Sequence, residues 1–133
     1  MKSAAPIPHL VVNDGVAAIQ FYEAAFGAVC NSKHLADDGK RIMHADLTFG
    51  SGTIFLNDDF PEFEDRIGKT PMQLGGTSVT IHLDVPDADA AWAQAIGAGA
   101  EVCVPLENQF WGMRYGKLKD PFGHLWSIGG PLK

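Results

Sequence analysis

Apolar and polar residues alternate over positions 78–85, with Val79, Ile81, Leu83 and Val85 on one side and Ser78, Thr80, His82 and Asp84 on the other. A period of two is the signature of a strand with one face on a core. A shorter run near the start of the chain does the same: Leu10 and Val12 take the core side, and Ile7, His9 and Val11 take the opposite face. Each run leads into apolar residues at three- and four-residue spacing. Ile19, Tyr22 and Phe26 form the first such set, and Ala88, Ala91, Trp92, Ala95 and Ile96 form the second. Both predict a helix that lays one apolar stripe on a sheet. Asp14 and Asp87 stand where helix N-caps belong, and Gly27, Gly97 and Gly99 are candidate stops.

Three further strand-like runs follow each helix. In the first half they cover about 28–36, 40–49 and 52–57, punctuated by Asp37-Asp38-Gly39 and Gly50-Ser51-Gly52. In the second they cover about 101–106, 113–119 and 124–129, with Asp120-Pro121-Phe122-Gly123 as a tight turn. The chain therefore reads βαβββ twice. His9-Leu10-Val11-Val12-Asn13-Asp14 returns as His82-Leu83-Asp84-Val85-Pro86-Asp87, and Cys30 and Cys103 keep the same spacing. A repeat of this length sets the expected fold class: α+β, a single domain over 1–133 built from two half-length modules. Module one covers about 6–57, a connector about 58–76, and module two about 77–130. The connector carries Pro61, Pro71, Gly75 and Gly76 without a clean period, which predicts an irregular lid or interface loop.

Bulk properties narrow the function classes. The 133 residues are 46% hydrophobic and 20% charged, ordinary for a globular domain. Ten Lys and Arg against sixteen Asp and Glu give a net charge of −6, and the basic residues form no stripe. Nucleic acid and membrane surfaces are accordingly not expected partners. No apolar run approaches the roughly 20 residues needed to span a bilayer, and the first five residues lack the apolar stretch of a signal peptide, so the cytoplasm is the expected compartment. The two cysteines sit at strand starts and are expected to be buried small hydrophobes rather than a disulfide.

Phe21-Tyr22-x-x-x-Phe26-Gly27 and Asp120-Pro121-x-Gly123-His124, set in two tandem βαβββ modules, together resemble the vicinal oxygen chelate superfamily. That superfamily includes glyoxalase I, extradiol dioxygenases, fosfomycin-resistance transferases and bleomycin-resistance binding proteins. Within it, the runs Leu106–Gly116 and Ile42–Asp46 resemble the PhnB-like branch. The resemblance implies a cupped mixed sheet with the helices outside and the ligand inside, and a homodimer in which a second chain completes or buttresses the cup. In metal-dependent members, side chains from the first and last strand of each module hold a divalent ion. The same alignment puts those four positions at Ile7, Leu56, Thr80 and Ser127, none of which is a competent ligand. The expectation is a cup with no metal and no other cofactor.

His9 and His82 lie two residues beyond Ile7 and Thr80 on the same strand faces. They could hold a displaced ion with help from Asp84, Glu107 or Asp46, or serve as ligand-binding or space-filling groups. His44 and Asp46 share a strand face, and a carboxylate beside an imidazole fixes its tautomer, which makes the pair a candidate for acid–base work. His124 in its turn reads as structural and His34 as surface. Phe110, Trp111, Arg114 and Tyr115 crowd three aromatics and a guanidinium into six residues, a group able to sandwich a flat ligand and neutralise an acidic one. Phe60, Pro61 and Phe63 of the connector could close over the same opening.

Three functions remain on these grounds. One is a metal-free cup that binds a small, partly aromatic molecule, with sequestration of a drug or metabolite as the concrete role. The second is a metal-dependent lyase or dioxygenase with ligands shifted to His9 and His82. The third is a metal-free lyase or isomerase using His44 and Asp46.

Overall fold

The computed structural model describes residues 1–64, 66 and 68–133. Module one runs β1 (His9–Val12), α1 (Gly15–Phe26), β2 (Val29–Leu35), β3 (Ile42–Phe49) and β4 (Gly52–Asp58). The connector forms a 3-10 turn (Pro61–Phe63) and a short helix, α2 (Pro71–Leu74). Module two runs β5 (Thr80–Asp84), α3 (Ala88–Ala98), β6 (Glu101–Asn108), β7 (Arg114–Lys119) and β8 (Leu125–Gly130). Each module folds as one four-stranded mixed sheet, in the orders β1-β4-β3-β2 and β5-β8-β7-β6. The first strand of each pairs in parallel with the last, and the other pairings are antiparallel.

Local signals set the helices. The Asp14 and Asp87 side chains accept from Ala17 N–H and Ala90 N–H, each at 3.1 Å, which satisfies one otherwise unpaired donor of each first turn. Gly27 and Gly99 close the helices in the left-handed conformation. Gly97 does not act as a stop, because it lies inside α3 and the chain turns two residues later. Among the described residues, no helix is long and apolar enough to cross a membrane.

The pleat sends alternate residues to opposite faces, as the alternation requires. Leu10, Val12, Leu47, Ile54 and Leu56 pack towards α1, and Leu118, Trp126 and Ile128 occupy the equivalent face of the second sheet. Val79 departs from the pattern. It precedes β5, is 60% exposed, and lines a cavity instead of the core.

One core joins the two modules. Tyr22 and Phe26 of α1 meet Trp126 at ring-centroid distances of 5.3 and 4.6 Å, and Phe49 stacks on the same indole at 5.4 Å. The buried Asp120 carboxylate organises this junction. Its Oδ2 accepts from the Tyr22 hydroxyl at 2.6 Å and from Trp126 Nε1 at 2.8 Å, while its Oδ1 accepts from the Phe122 and His124 backbone N–H groups at 2.9 and 3.0 Å. Four donors cover a charge that would be costly to bury alone. Burial, and then the neighbouring Asp120 charge, hold the Tyr22 phenol well above its ordinary pKa.

Two expectations need correction here. Cys103 is exposed and Cys30 half-buried, because the outer strands β6 and β2 have no element packed across most of their length. Both thiols are free, and burial pushes the Cys30 thiol up. Phe60 and Phe63 of the connector also do not close over the aromatic segment. Phe60 is buried beneath the Arg41 guanidinium, which sits 4.4 Å above its ring, and Phe63 leans on Phe60 at 5.6 Å. Asp65 and Ile67 of the expected lid lie outside the described residues.

Candidate functional site

Residues on the side of each sheet turned away from the helices build two walls. On the first, His9 meets Phe55, its partner across the β1–β4 pairing, at 5.9 Å, and His44 packs edge-on against Phe55 at 4.6 Å and against His9 at 5.9 Å. His34, expected at the surface, is exposed and also stacks on His44 at 6.5 Å. Asp46 does not reach His44. Its carboxylate accepts from Asn31 Nδ2 at 3.4 Å, since β2 supplies a nearer donor across the ladder.

The second wall carries a continuous aromatic row. Phe110 contacts Trp111 at 5.2 Å, Trp111 contacts Tyr115 at 5.6 Å, and Tyr115 stacks on His82 at 5.9 Å with 17° between planes. Phe110 is 97% exposed and Trp111 53% exposed, so the row opens to solvent. His82 is fixed from both sides. Its Nδ1 lies 2.7 Å from Ser127 Oγ and its Nε2 lies 2.9 Å from Asp84 Oδ1. A carboxylate only accepts, which assigns the proton of the neutral ring to Nε2 and makes Nδ1 the acceptor of the Ser127 hydroxyl.

Arg114 stands apart from this row. Its Nε and Nη2 donate to Asp89 Oδ2 and Oδ1 at 2.8 and 2.9 Å, and its Nη1 donates to Asn108 at 3.3 Å. Because Tyr115 faces the wall, the pleat sends Arg114 to the α3 side together with Gly116, whose added Cβ would meet Trp92 at 2.6 Å. The pair lowers the Asp89 pKa and raises that of Arg114. The guanidinium is thus already neutralised by Asp89.

Between the walls, where β1 and β5 approach, lies a largely apolar cavity of about 420 Å³ lined by residues including Ile7, His9, Val79, Ile81 and Leu125. His124 spans this seam, with its Nε2 2.8 Å from the Val11 carbonyl, consistent with a structural part.

The donor set does not fit a chelated divalent ion. Ile7 is apolar; Thr80 and Ser127 offer only hydroxyls, and that of Ser127 is spent on His82. Leu56 is a correction in register. It is fully buried opposite Leu10 on the helix side, so the wall position of β4 falls to Phe55, which also lacks a donor. Among the described residues, no three His, Cys, Asp or Glu side chains come together as a metal-holding group. His9 and His82 keep separate partners rather than converging.

The sequence reading missed the wall position of Lys117, opposite Ser127 in the β7–β8 ladder, and the Ser127–His82–Asp84 chain. Alternation along Tyr115, Lys117 and Lys119 was the available signal for the first. The second depends on the β5–β8 register, which puts His82 opposite Ser127 and is invisible in either strand alone.

Comparison with known proteins agrees with this architecture. Residues 5–128 match the family model of the Glyoxalase/Bleomycin resistance protein/Dioxygenase superfamily. An uncharacterized protein of Mycobacterium bovis is 50% identical over 126 residues, spanning 95% of this chain and 82% of its own length. The crystal structure of TioX from Micromonospora sp. ML1 superposes with a TM-score of 0.72 at 25% identity, covering 98% of both chains. The fold is shared too by the fosfomycin resistance protein FosX of Listeria monocytogenes, at a TM-score of 0.72, 16% identity, and coverage of 98% of this chain and 92% of that one.

Proposed function

This chain belongs to the Glyoxalase/Bleomycin resistance protein/Dioxygenase superfamily, and from that premise we propose that it binds a small, partly aromatic molecule on the open face of its second sheet without a resident metal. The observation that carries the reading is the solvent-open row Phe110–Trp111–Tyr115–His82. Aromatic faces attract flat ligands through stacking worth on the order of 1 kcal/mol per contact beyond the area removed from water. A cavity whose lining includes Ile7, Thr53, Ile81, His82 and Leu83 reaches the row at His82 and offers room for an aliphatic or ring substituent. Sequestration of a drug or metabolite is the role such a surface serves without chemistry, and a second copy of the chain facing the open sheets would enclose the ligand.

The catalytic alternatives have weaker support. The chelating positions are filled by Ile7, Phe55, Thr80 and Ser127, and His9 and His82 do not share a partner. FosX carries Mn(II) in its structure, whereas among the described residues of this chain no His, Cys, Asp or Glu group comes together to hold such an ion. Among the described residues, no carboxylate pairs with His44, and Asp46 is engaged with Asn31.

A thermal-shift panel of planar aromatics, thiol adducts and phosphonates tests the reading. The expected result is stabilisation by flat aromatics, weakened by about 1–3 kcal/mol of binding free energy in Trp111→Ala. Binding that ignores this substitution would return Trp111 to a packing role. Elemental analysis of protein purified without chelator would overturn the metal-free part if it found a stoichiometric transition metal that disappears in the His9→Ala, His82→Ala double variant.

A further inference from the structure

Resting on the binding reading above, we infer that the ligand is acidic: a flat aromatic anion whose ring lies on Tyr115 and Trp111 and whose carboxylate or sulfonate is taken by Lys117. The sequence suggests Arg114 for that charge, but Arg114 is committed to Asp89 on the opposite side of the sheet. Lys117 is on the correct side. Gly116 and Leu118 face α3 and the core, so the pleat turns Tyr115, Lys117 and Lys119 towards the open wall.

The registers show what surrounds it. Across the ladder, Lys119 stands opposite Glu101 and Tyr115 opposite Glu107, so both of those rows carry a carboxylate. Lys117 instead has Val104 on one side and Ser127 on the other, with His82 one strand further along. Asp84, the remaining acidic group of this wall, is turned onto His82 Nε2 at 2.9 Å. Among the described residues, Lys117 makes no side-chain hydrogen bond or ion pair, although it is half-buried. A partly desolvated ammonium without a counter-ion favours an incoming anion more than a hydrated surface lysine does.

Spacing then defines the ligand. Two residues along a strand separate Tyr115 from Lys117 by roughly 7 Å, which accommodates a small fused ring on the phenol, an acidic substituent at its edge and a hydrogen bond of about 2.8 Å from that substituent to the ammonium. Ser127 cannot serve equally, because its hydroxyl already donates to His82. The charge specificity therefore rests on one side chain, in a protein whose net charge of −6 would otherwise repel anions.

Isothermal titration with 1-naphthoate and its neutral counterpart 1-naphthamide tests this in the full-length chain. The expected result is tighter binding of naphthoate, a loss of about tenfold for that probe alone in Lys117→Gln, and little change in Lys119→Gln, which shares the wall but faces Glu101. Equal affinity for the two probes, or a Lys117→Gln loss that falls equally on both, would overturn the acidic-ligand inference while leaving aromatic binding intact. Failure of both probes to bind would overturn both readings.

Discussion

The Tyr22 hydroxyl donates to Asp120 Oδ2 at 2.6 Å, tying α1 of the first module to the β7–β8 turn of the second across 98 positions of sequence. Tyr22→Phe keeps the ring stack and removes only this donor. The expected loss of stability is about 1–3 kcal/mol by urea denaturation, the cost of leaving a buried acceptor under-satisfied. The contact also makes stability depend on alkaline pH. The phenol's pKa is raised in the fold, so its contribution is complete below the unfolded value near 10 and is lost as pH climbs through the folded value. Wild type should therefore lose stability above about pH 10 more steeply than Tyr22→Phe.

At Gly15, packing leaves no room for a side chain. A Cβ there would sit 2.5 Å from Asp58 Oδ2 and 2.6 Å from Ile42 Cγ1. That Asp58 carboxylate accepts from Gly15 N–H at 2.8 Å and from Ile42 N–H at 2.6 Å, stitching the start of α1 to β3. Gly15→Ala should destabilise by about 1–3 kcal/mol in the same assay through overpacking. A neutral effect would show that β3 yields easily at this corner.

Arg41 bridges Asp38 and Glu62, with Nε 2.7 Å from Asp38 and Nη2 2.7 Å from Glu62. The Arg41 hydrogen bond, and then the Lys40 and Arg41 backbone N–H groups, draw the Asp38 carboxyl down to about 2. Its folded value lies below the unfolded one, so the stabilisation is present above about pH 4 and fades as pH falls towards 2. In Arg41→Met, a carboxyl-detected NMR titration should return the Asp38 midpoint towards the ordinary 3.8.

Much of the fold was legible in the sequence because the signals for it are local. Strict alternation in β5, aspartate caps and the repeated βαβββ spacing each need only neighbouring residues. Site details that depend on partners from other elements were not legible. Reading Leu56 as a wall residue was wrong by one position, and with a period of two a single-residue slip exchanges core for cup. Arg114 looked like part of an aromatic clamp because Trp111 and Tyr115 flank it in sequence, but its partner Asp89 belongs to α3. The Asp120 turn was visible as a turn; its link to Tyr22 was not, since nothing in a turn motif identifies a helix 98 positions away.

That separation of Arg114 from the aromatic row makes its own prediction. Arg114→Gln should lower the melting temperature slightly, as a partly exposed ion pair is lost, and leave the affinity for a flat aromatic probe unchanged. Isothermal titration beside a melting curve separates the two effects. Weaker binding without a stability change would put the guanidinium back among the ligand contacts.

Whether the second sheet is a binding wall can be read from backbone amide shifts in 15N-labelled protein titrated with 1-naphthamide. The account predicts saturable shifts centred on Trp111, Tyr115 and His82. Shifts confined to the first sheet around His44 and Phe55, or none at saturating probe, would contradict it.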